Sequence, residues 1–201
     1  MVIDVKYQFG LNLPSIDPIV AKNAGKSGVI PNLKVLRDTL RAQNFLPIAR
    51  IVTFKDSVTA RVNPAWTIQK ADGSPWSDKK GTLWVNPFHH ELWEYNIRVA
   101  EEMVRLGFGE VQFDYIRFPE PYKSLPKQIF PEQGKQTKEL ALDEFLKPAH
   151  SSISKLGAST HADIFGLVTT VPGSLDSDTR FKFLPPATHL LTPICAPSAY
   201  P

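Results

Sequence analysis

The stretch "EVQFDYIRFPE" at 110–120 decides how this chain is read. Val111, Phe113 and Ile116 give it the look of a buried strand, bounded by Gly109 and Pro119. Yet Gln112, Asp114 and Arg117 are set into it. A strand covered on both faces is almost wholly apolar, and an unpaired charge buried there costs roughly several kcal/mol. Its polar residues must therefore pair with one another or reach solvent.

Around this stretch, short apolar strands alternate with longer helical patterns. "MVIDV" (1–5), "FLPIARIVTF" (45–54), "EVQFDYIRF" (110–118), "HADIFGLVT" (161–169) and "HLLTPICA" (189–196) read as strands. Residues 32–43 place Leu33, Leu36 and Leu40 on one helical face. Residues 87–106 form the best-marked helix, with Asn86 as N-cap, Pro87 at the first position and Gly107 past the end. Leu92, Tyr95, Val99, Met103 and Leu106 make its apolar stripe. A third helix, 138–156, is expected to bury Leu142, Phe145, Leu146 and Leu156, with a kink or early break at Pro148. Such repetition builds a parallel sheet with right-handed crossovers, either an open doubly wound sheet or part of a (β/α)₈ barrel. Neither G-x-G-x-x-G nor G-x-x-x-x-G-K-[ST] follows a strand, which disfavours a nucleotide-binding open sheet.

Period-2 alternation sorts the strand residues by face. Asp4 and Lys6 fall together with Val2, Arg50 with Val52, Gln112 with Asp114, and His161 with Asp163. Lys55 and Asp56 follow the second strand, and Tyr115 is expected to point away into the helix layer. Four successive strands thus carry polar residues, mostly towards their C-terminal ends, where parallel α/β folds build their sites. An interior network, such as Asp4 with Arg50, is the competing explanation for any one of them. Carboxylates on separate strands with cations nearby suit acid/base work or glycoside hydrolysis. A Ser–His–Asp site is disfavoured because no G-x-S-x-G elbow is present. No metal is expected: His89 and His90 point to different helical faces, as solvent-facing or capping residues, and no H-x-x-x-H pair exists. No cofactor is implied either.

The composition agrees with a single domain, 1–201, with a sizeable core, since 42% of residues are hydrophobic and 21% charged. The formal charge is +3 and the 23 Lys and Arg are scattered, so no nucleic-acid partner is expected. No apolar run approaches the roughly 18 residues of a membrane span, and "MVIDVK" opens as a strand rather than a leader. Cys195 is the lone cysteine, read as a small core residue. The 18 prolines collect in connections, which points to stiffened loops rather than disorder.

Several segments recur together in a fixed order: "ARIVTFKD", "GTLWVNP", "YNIRVAEEMVRLGFGEVQFDYIRFP", "ADIFGLVT" and "LTPICAPSAY". With these the chain resembles the bacterial "putative glycosyl hydrolase" domain family, a TIM-barrel group marked by segments of the "QFDYVRFP" type. The likeness covers nearly the whole chain. It implies an α/β fold of the (β/α)₈ TIM-barrel type, here an incomplete barrel of about five parallel strands corresponding to strands two to six. A domain cut in that way would have two open sheet edges and poor stability on its own.

By resemblance the activity is that of a hydrolase, a glycosidase acting on a polysaccharide substrate, exported or associated with the cell envelope. Asp114, ending the barrel's fourth strand, becomes the nucleophile and Asp163 on the next strand its acid/base partner. Neighbouring strands lie about 4.8 Å apart, which suits the carboxylate gap of retaining enzymes, about 5–5.5 Å. Asp4, Lys6, Arg50, Lys55, Gln112, Arg117 and Tyr200 are candidate substrate-binding residues. Trp84 is a candidate sugar-stacking platform or, equally, a packed loop anchor; Trp66 and Trp76 read as loop-core residues. Ala196 and Ala199 stand where the family has Tyr and His, and Tyr7 and Gln8 where it has an acidic pair. The alternative reading, from another class, is a carbohydrate-binding or scaffolding barrel that has lost catalysis.

Overall fold

The structure, a computed structural model, describes residues 1–24, 30, 32–165 and 190–194. The strands are β1 (Val2–Tyr7), β2 (Gly10–Leu11), β3 (Ile48–Val52), β4 (Glu110–Asp114), β5 (Ser159–Phe165) and β6 (Leu190–Ile194). The helices are α1 (Pro18–Asn23), α2 (Leu33–Ala42), α3 (Ser57–Val62), α4 (His90–Arg105) and α5 (Lys138–Lys155). The sheet order is β2-β1-β3-β4-β5-β6. All neighbours are parallel except the short β2, which turns back antiparallel on β1. Five parallel strands therefore follow one another in chain order without a reversal. A doubly wound sheet has a reversal point; this sheet winds in one direction, as a barrel wall does, and it stays open.

The two faces of the sheet differ sharply. Ile3, Val5, Ala49, Ile51, Val111, Phe113 and Ala162 are buried on one side in a single core with Tyr95, Val99 and Met103 of α4 and Phe145, Leu146 and Ala149 of α5. Phe145 sits edge-on to both Phe54 and Phe113, with ring centroids 5.5 and 5.4 Å away. The opposite face is polar. Asp4, Arg50, Gln112 and His161 stand in one row across β1, β3, β4 and β5. A barrel interior is this second face, with helices covering the first.

Most expected elements are present, and their differences have local causes. A bulge between Asp4 and Lys6 breaks the alternation in β1, so Val5 and Lys6 are both wholly buried and Lys6 leaves the Asp4 face. β4 ends at Asp114, because Tyr115 takes a left-handed conformation with φ of 51°. Tyr115 accordingly does not continue the strand into the helix layer. α4 starts at His90 rather than at Pro87: the Asn86 side chain instead accepts from the Phe88 amide and donates to the Pro131 carbonyl. His89 occupies the cap position without a side-chain capping bond, its ring held against Trp66 and hydrogen-bonded to Glu132.

α5 runs unbroken past Pro148. The ring removes one backbone hydrogen bond, but Phe145, Leu146, Ala149 and Ile153 bury the flanking turns. Leu156 lies beyond the helix end and is exposed.

β2, α1 and α3 are too short to show a periodicity. α1 and α3 are set instead by caps: Asp17 accepts from the Ile19 and Val20 amides, and Asp56 from those of Val58 and Thr59. No helix among the described residues is long and apolar enough to cross a membrane.

Two long connections cover the C-terminal ends of β3 and β4. Residues 67–85 fold back on themselves and dock on Phe54, just beyond β3, through the Val85 amide. The β4–α5 connection, 115–137, lies against them. Gln69 pairs with Ile129, and the Trp76 indole donates to the Pro126 carbonyl at 2.8 Å.

Candidate active site

The polar row is organised by one cation. The Arg50 guanidinium pairs with Asp4 at 2.5 Å, with Asp114 through its second terminal nitrogen, and reaches Asp163 Oδ2 from Nε at 3.9 Å. Burial disfavours its charge, but the bonds to Asp4 and the charge of Asp114 outweigh this and raise its pKa. A guanidinium presents its donors in a planar fork, so three carboxylates from three strands are fixed around one group.

In the ladder between β4 and β5 the last pair is Phe113 with Ala162, and Asp114 and Asp163 directly follow it; Asp114 ends β4, whereas β5 continues alongside β6 to Phe165. The two carboxyl groups are thus neighbours at the C-terminal edge of the sheet. Asp114 accepts from Arg50 and, through Oδ1, from the Tyr115 amide at 2.6 Å. The left-handed turn at Tyr115 is what brings that amide back onto the carboxylate.

Asp163 sits differently. Its Oδ1 accepts from the Gln112 amide at 2.6 Å, while Oδ2 is buried without a hydrogen-bond partner among the described residues. Burial, helped by the nearby Asp114 charge and only partly opposed by Gln112 and Arg50, pushes the Asp163 carboxyl up to about 6.

The remaining candidates separate into those at this cup and those away from it. Lys6 is fully buried, 2.8 Å from Asp56 and donating to the Val52 carbonyl, with its ammonium 5.4 Å from the centre of the Tyr95 ring. It lies on the helix side of the sheet and not beside Asp114.

Trp84 is 1% exposed, its indole donating to Asp78 Oδ2 at 3.1 Å. A stacking platform needs an open ring face, so Trp84 stands here as the packed loop anchor. Lys55 pairs with Asp78 at 3.4 Å and lies 5.0 Å from the Tyr115 ring centre, and the Arg117 guanidinium packs 5.2 and 5.3 Å from the Trp84 and Tyr115 rings. Arg117 pairs with Glu120 at 2.8 Å. Tyr200, with Cys195, Ala196 and Ala199, lies outside the described residues.

Asp78 is a participant that sequence reading passes over, and Tyr115 is one that it expects in the helix layer. Asp78 sits in a turn six residues before Trp84, and only the fold-back of 67–85 brings it to Lys55. Burial would raise its pKa, but Trp84, the Thr82 amide and Lys55 together lower it. Among the described residues, no group of three His, Cys, Asp or Glu side chains is arranged to hold a metal ion.

Comparison with known proteins agrees with this architecture. No curated protein matches the sequence. A hypothetical protein from Ruminiclostridium thermocellum is similar over 81% of each chain, with 32% identity and a TM-score of 0.71. The GH36 alpha-galactosidase AgaB from Geobacillus stearothermophilus superposes on 80% of this chain with a TM-score of 0.50. This chain spans 21% of that enzyme at 13% identity, so the likeness is one of fold. The open, one-directional sheet with its polar interior is an incomplete TIM barrel. A family model matches residues 1–201 from end to end, and the chain belongs to the family described as "Putative glycosyl hydrolase domain".

Proposed function

We propose that this chain hydrolyses glycosidic bonds of a polysaccharide by a two-carboxylate mechanism, with Asp114 as nucleophile and Asp163 as general acid/base. One observation carries the reading: two carboxyl groups on adjacent strands, just past the last pair that joins those strands, share a guanidinium yet occupy unlike environments. A carboxyl whose hold on its proton is strengthened by burial is what a general acid requires. Asp163, pushed up to about 6, keeps a proton to give to a leaving oxygen at mildly acidic pH, where an ordinary aspartate has lost it. Asp114 faces Arg50 and the Tyr115 amide and offers its oxygens for attack at the anomeric carbon. Once Asp163 has given up its proton, the same group accepts one from water to release the glycosyl intermediate.

The neighbouring side chains act through position. Asp4 fixes the far side of the Arg50 fork, and Gln112 aims the Asp163 carboxyl. Lys55 and Arg117, packed over Tyr115, offer donors to sugar hydroxyls at the rim. Lys6 acts at a distance, neutralising Asp56, which caps α3 behind the site.

The test is the pH dependence of reducing-end release from a panel of plant, algal and bacterial polysaccharides. Hydrolysis of at least one is expected, with kcat falling as Asp163 loses its proton above about pH 6. A rate that keeps rising to pH 9 would remove Asp163 from the acid role. No hydrolysis of any glycan, with binding retained, would favour the non-catalytic carbohydrate-binding barrel.

A further inference from the structure

The connection that follows Asp114 contains a cavity of about 370 Å³, which the mechanism does not use. It is walled by the β4–α5 connection and the first residue of α5, Lys138. Three lysines, Lys123, Lys127 and Lys138, line it, and none of its lining residues is acidic. Tyr122, Leu125 and Phe130 line it as well, and the Lys138 ammonium lies 5.1 and 5.4 Å from the Phe118 and Phe130 ring centres. A fourth ammonium, that of Lys79 from the 67–85 connection, lies 3.6 Å over the Tyr122 ring. Glu120, which precedes the first lining residue, pairs with Arg117 at 2.8 Å.

Position gives the cavity its meaning. The connection leaves β4 at Asp114, and in a βα unit the following helix begins at the C-terminal edge of the sheet. The cavity therefore opens on the same end of the barrel wall as Asp114 and Asp163, seven residues along the chain from Asp114 to its first lining residue, Pro121. Its volume lies within the range of small-ligand sites, about 300–1,000 Å³. An apolar wall suits the carbon-rich face of a pyranose ring, and the ammonium groups suit an anion attached to that ring.

We infer that this cavity is a subsite for an acidic sugar residue, and that the polysaccharide is a carboxylate-bearing glycan such as a polyuronide. This rests on the glycosidase reading for the direction of the chain through the site. The subsite itself is a binding claim and can be tested apart from turnover.

The experiment measures binding of oligogalacturonate, oligoalginate and hyaluronate oligosaccharides to the full chain carrying Asp114→Asn, by calorimetry at low salt. Fully methyl-esterified oligogalacturonate and cello-oligosaccharides serve as neutral controls. At least one acidic glycan is expected to bind, and esterification to abolish the preference. Adding Lys123→Ala and Lys127→Ala should weaken acidic binding by up to about five-fold per lysine, with an unchanged circular dichroism spectrum. Raising the ionic strength should weaken it further.

Equal affinity for acidic and neutral glycans, an acidic affinity indifferent to the two substitutions, or no acidic binding at all would overturn the subsite. Hydrolysis is read separately with the unsubstituted chain. Acidic binding through the lysines without cleavage keeps the subsite and removes the glycosidase reading. Cleavage of neutral glycans only, with no acidic preference, does the reverse.

Discussion

Replacing Asp163 with Asn should make the protein more stable at pH 8 while leaving its stability at pH 4 nearly unchanged. The Asp163 carboxyl rises from the ordinary 3.8 to about 6 in the fold, chiefly because it is buried. Below about pH 4 the group is protonated whether the chain is folded or not, and it contributes nothing. Between about 4 and 6 the folded chain holds a proton that the unfolded chain has lost. Stability therefore falls as pH rises through this window.

Above about pH 6 the folded site carries a buried charge, and the full cost is present. The rise from 3.8 to about 6 corresponds to at most about 3 kcal/mol. Asn reproduces the shape and hydrogen-bond acceptor of the protonated acid without the charge, and its Oδ1 can still accept from Gln112. Thermal denaturation followed by circular dichroism should show Asp163→Asn melting about 6–12 °C higher than the parent at pH 8, with near-coincident curves at pH 4. A variant that melts lower at pH 8, or a difference that is the same at both values, would refute the burial argument. The gain would also identify Asp163 as a residue kept against stability, as functional groups commonly are.

Other substitutions test the surrounding network. Arg50→Met leaves Asp4, Asp114 and Asp163 facing one another without their shared cation and should cost about 3–5 kcal/mol at pH 8, read by urea titration beside the parent. Lys6→Met strands Asp56 and should cost a similar amount, with Asp56→Asn in the same chain recovering part of it in the same titration. Gly10→Ala should destabilise by about 1–3 kcal/mol, since φ is +108° and the added Cβ would meet the Ala24 carbonyl at 2.8 Å. Gly73→Ala, in a left-handed turn with open space around it, should cost less, and comparing the two melting temperatures separates backbone strain from collision.

How much of this could be read in advance depended on the kind of force involved. The sheet and its major helices were legible because burial imposes periodicity: Leu33 and Leu40 on α2, and Tyr95, Val99 and Met103 on α4, are buried as their spacing implies. Asp4, Arg50, Gln112, Asp114 and Asp163 also share a face, because alternation holds in the regular parts of β3, β4 and β5. It failed where the backbone left the regular strand. A one-residue bulge turned Lys6 to the other face, and the left-handed Tyr115 ended β4 before alternation could be extended.

The short helices α1 and α3 rest on Asp17 and Asp56 caps, single residues that look like any other aspartate in a sequence. The burial of Trp84 and the partnership of Lys55 with Asp78 depend on a loop folding back on itself, a non-local event without a period. That Lys138 joins Lys123 and Lys127 around one cavity is likewise invisible along the chain, where it stands at the start of a helix and a long loop separates it from them.

The account turns on Asp114 as the reacting carboxylate. Its most direct test is the kcat/KM of Asp114→Asn beside that of the unsubstituted chain, on whichever glycan the latter cuts, with binding of that glycan measured in parallel. Loss of about 10³-fold or more in turnover with binding retained is the expected result. Turnover that survives the substitution within a few-fold would contradict the central claim and return Asp114 to the role of a partner for Arg50.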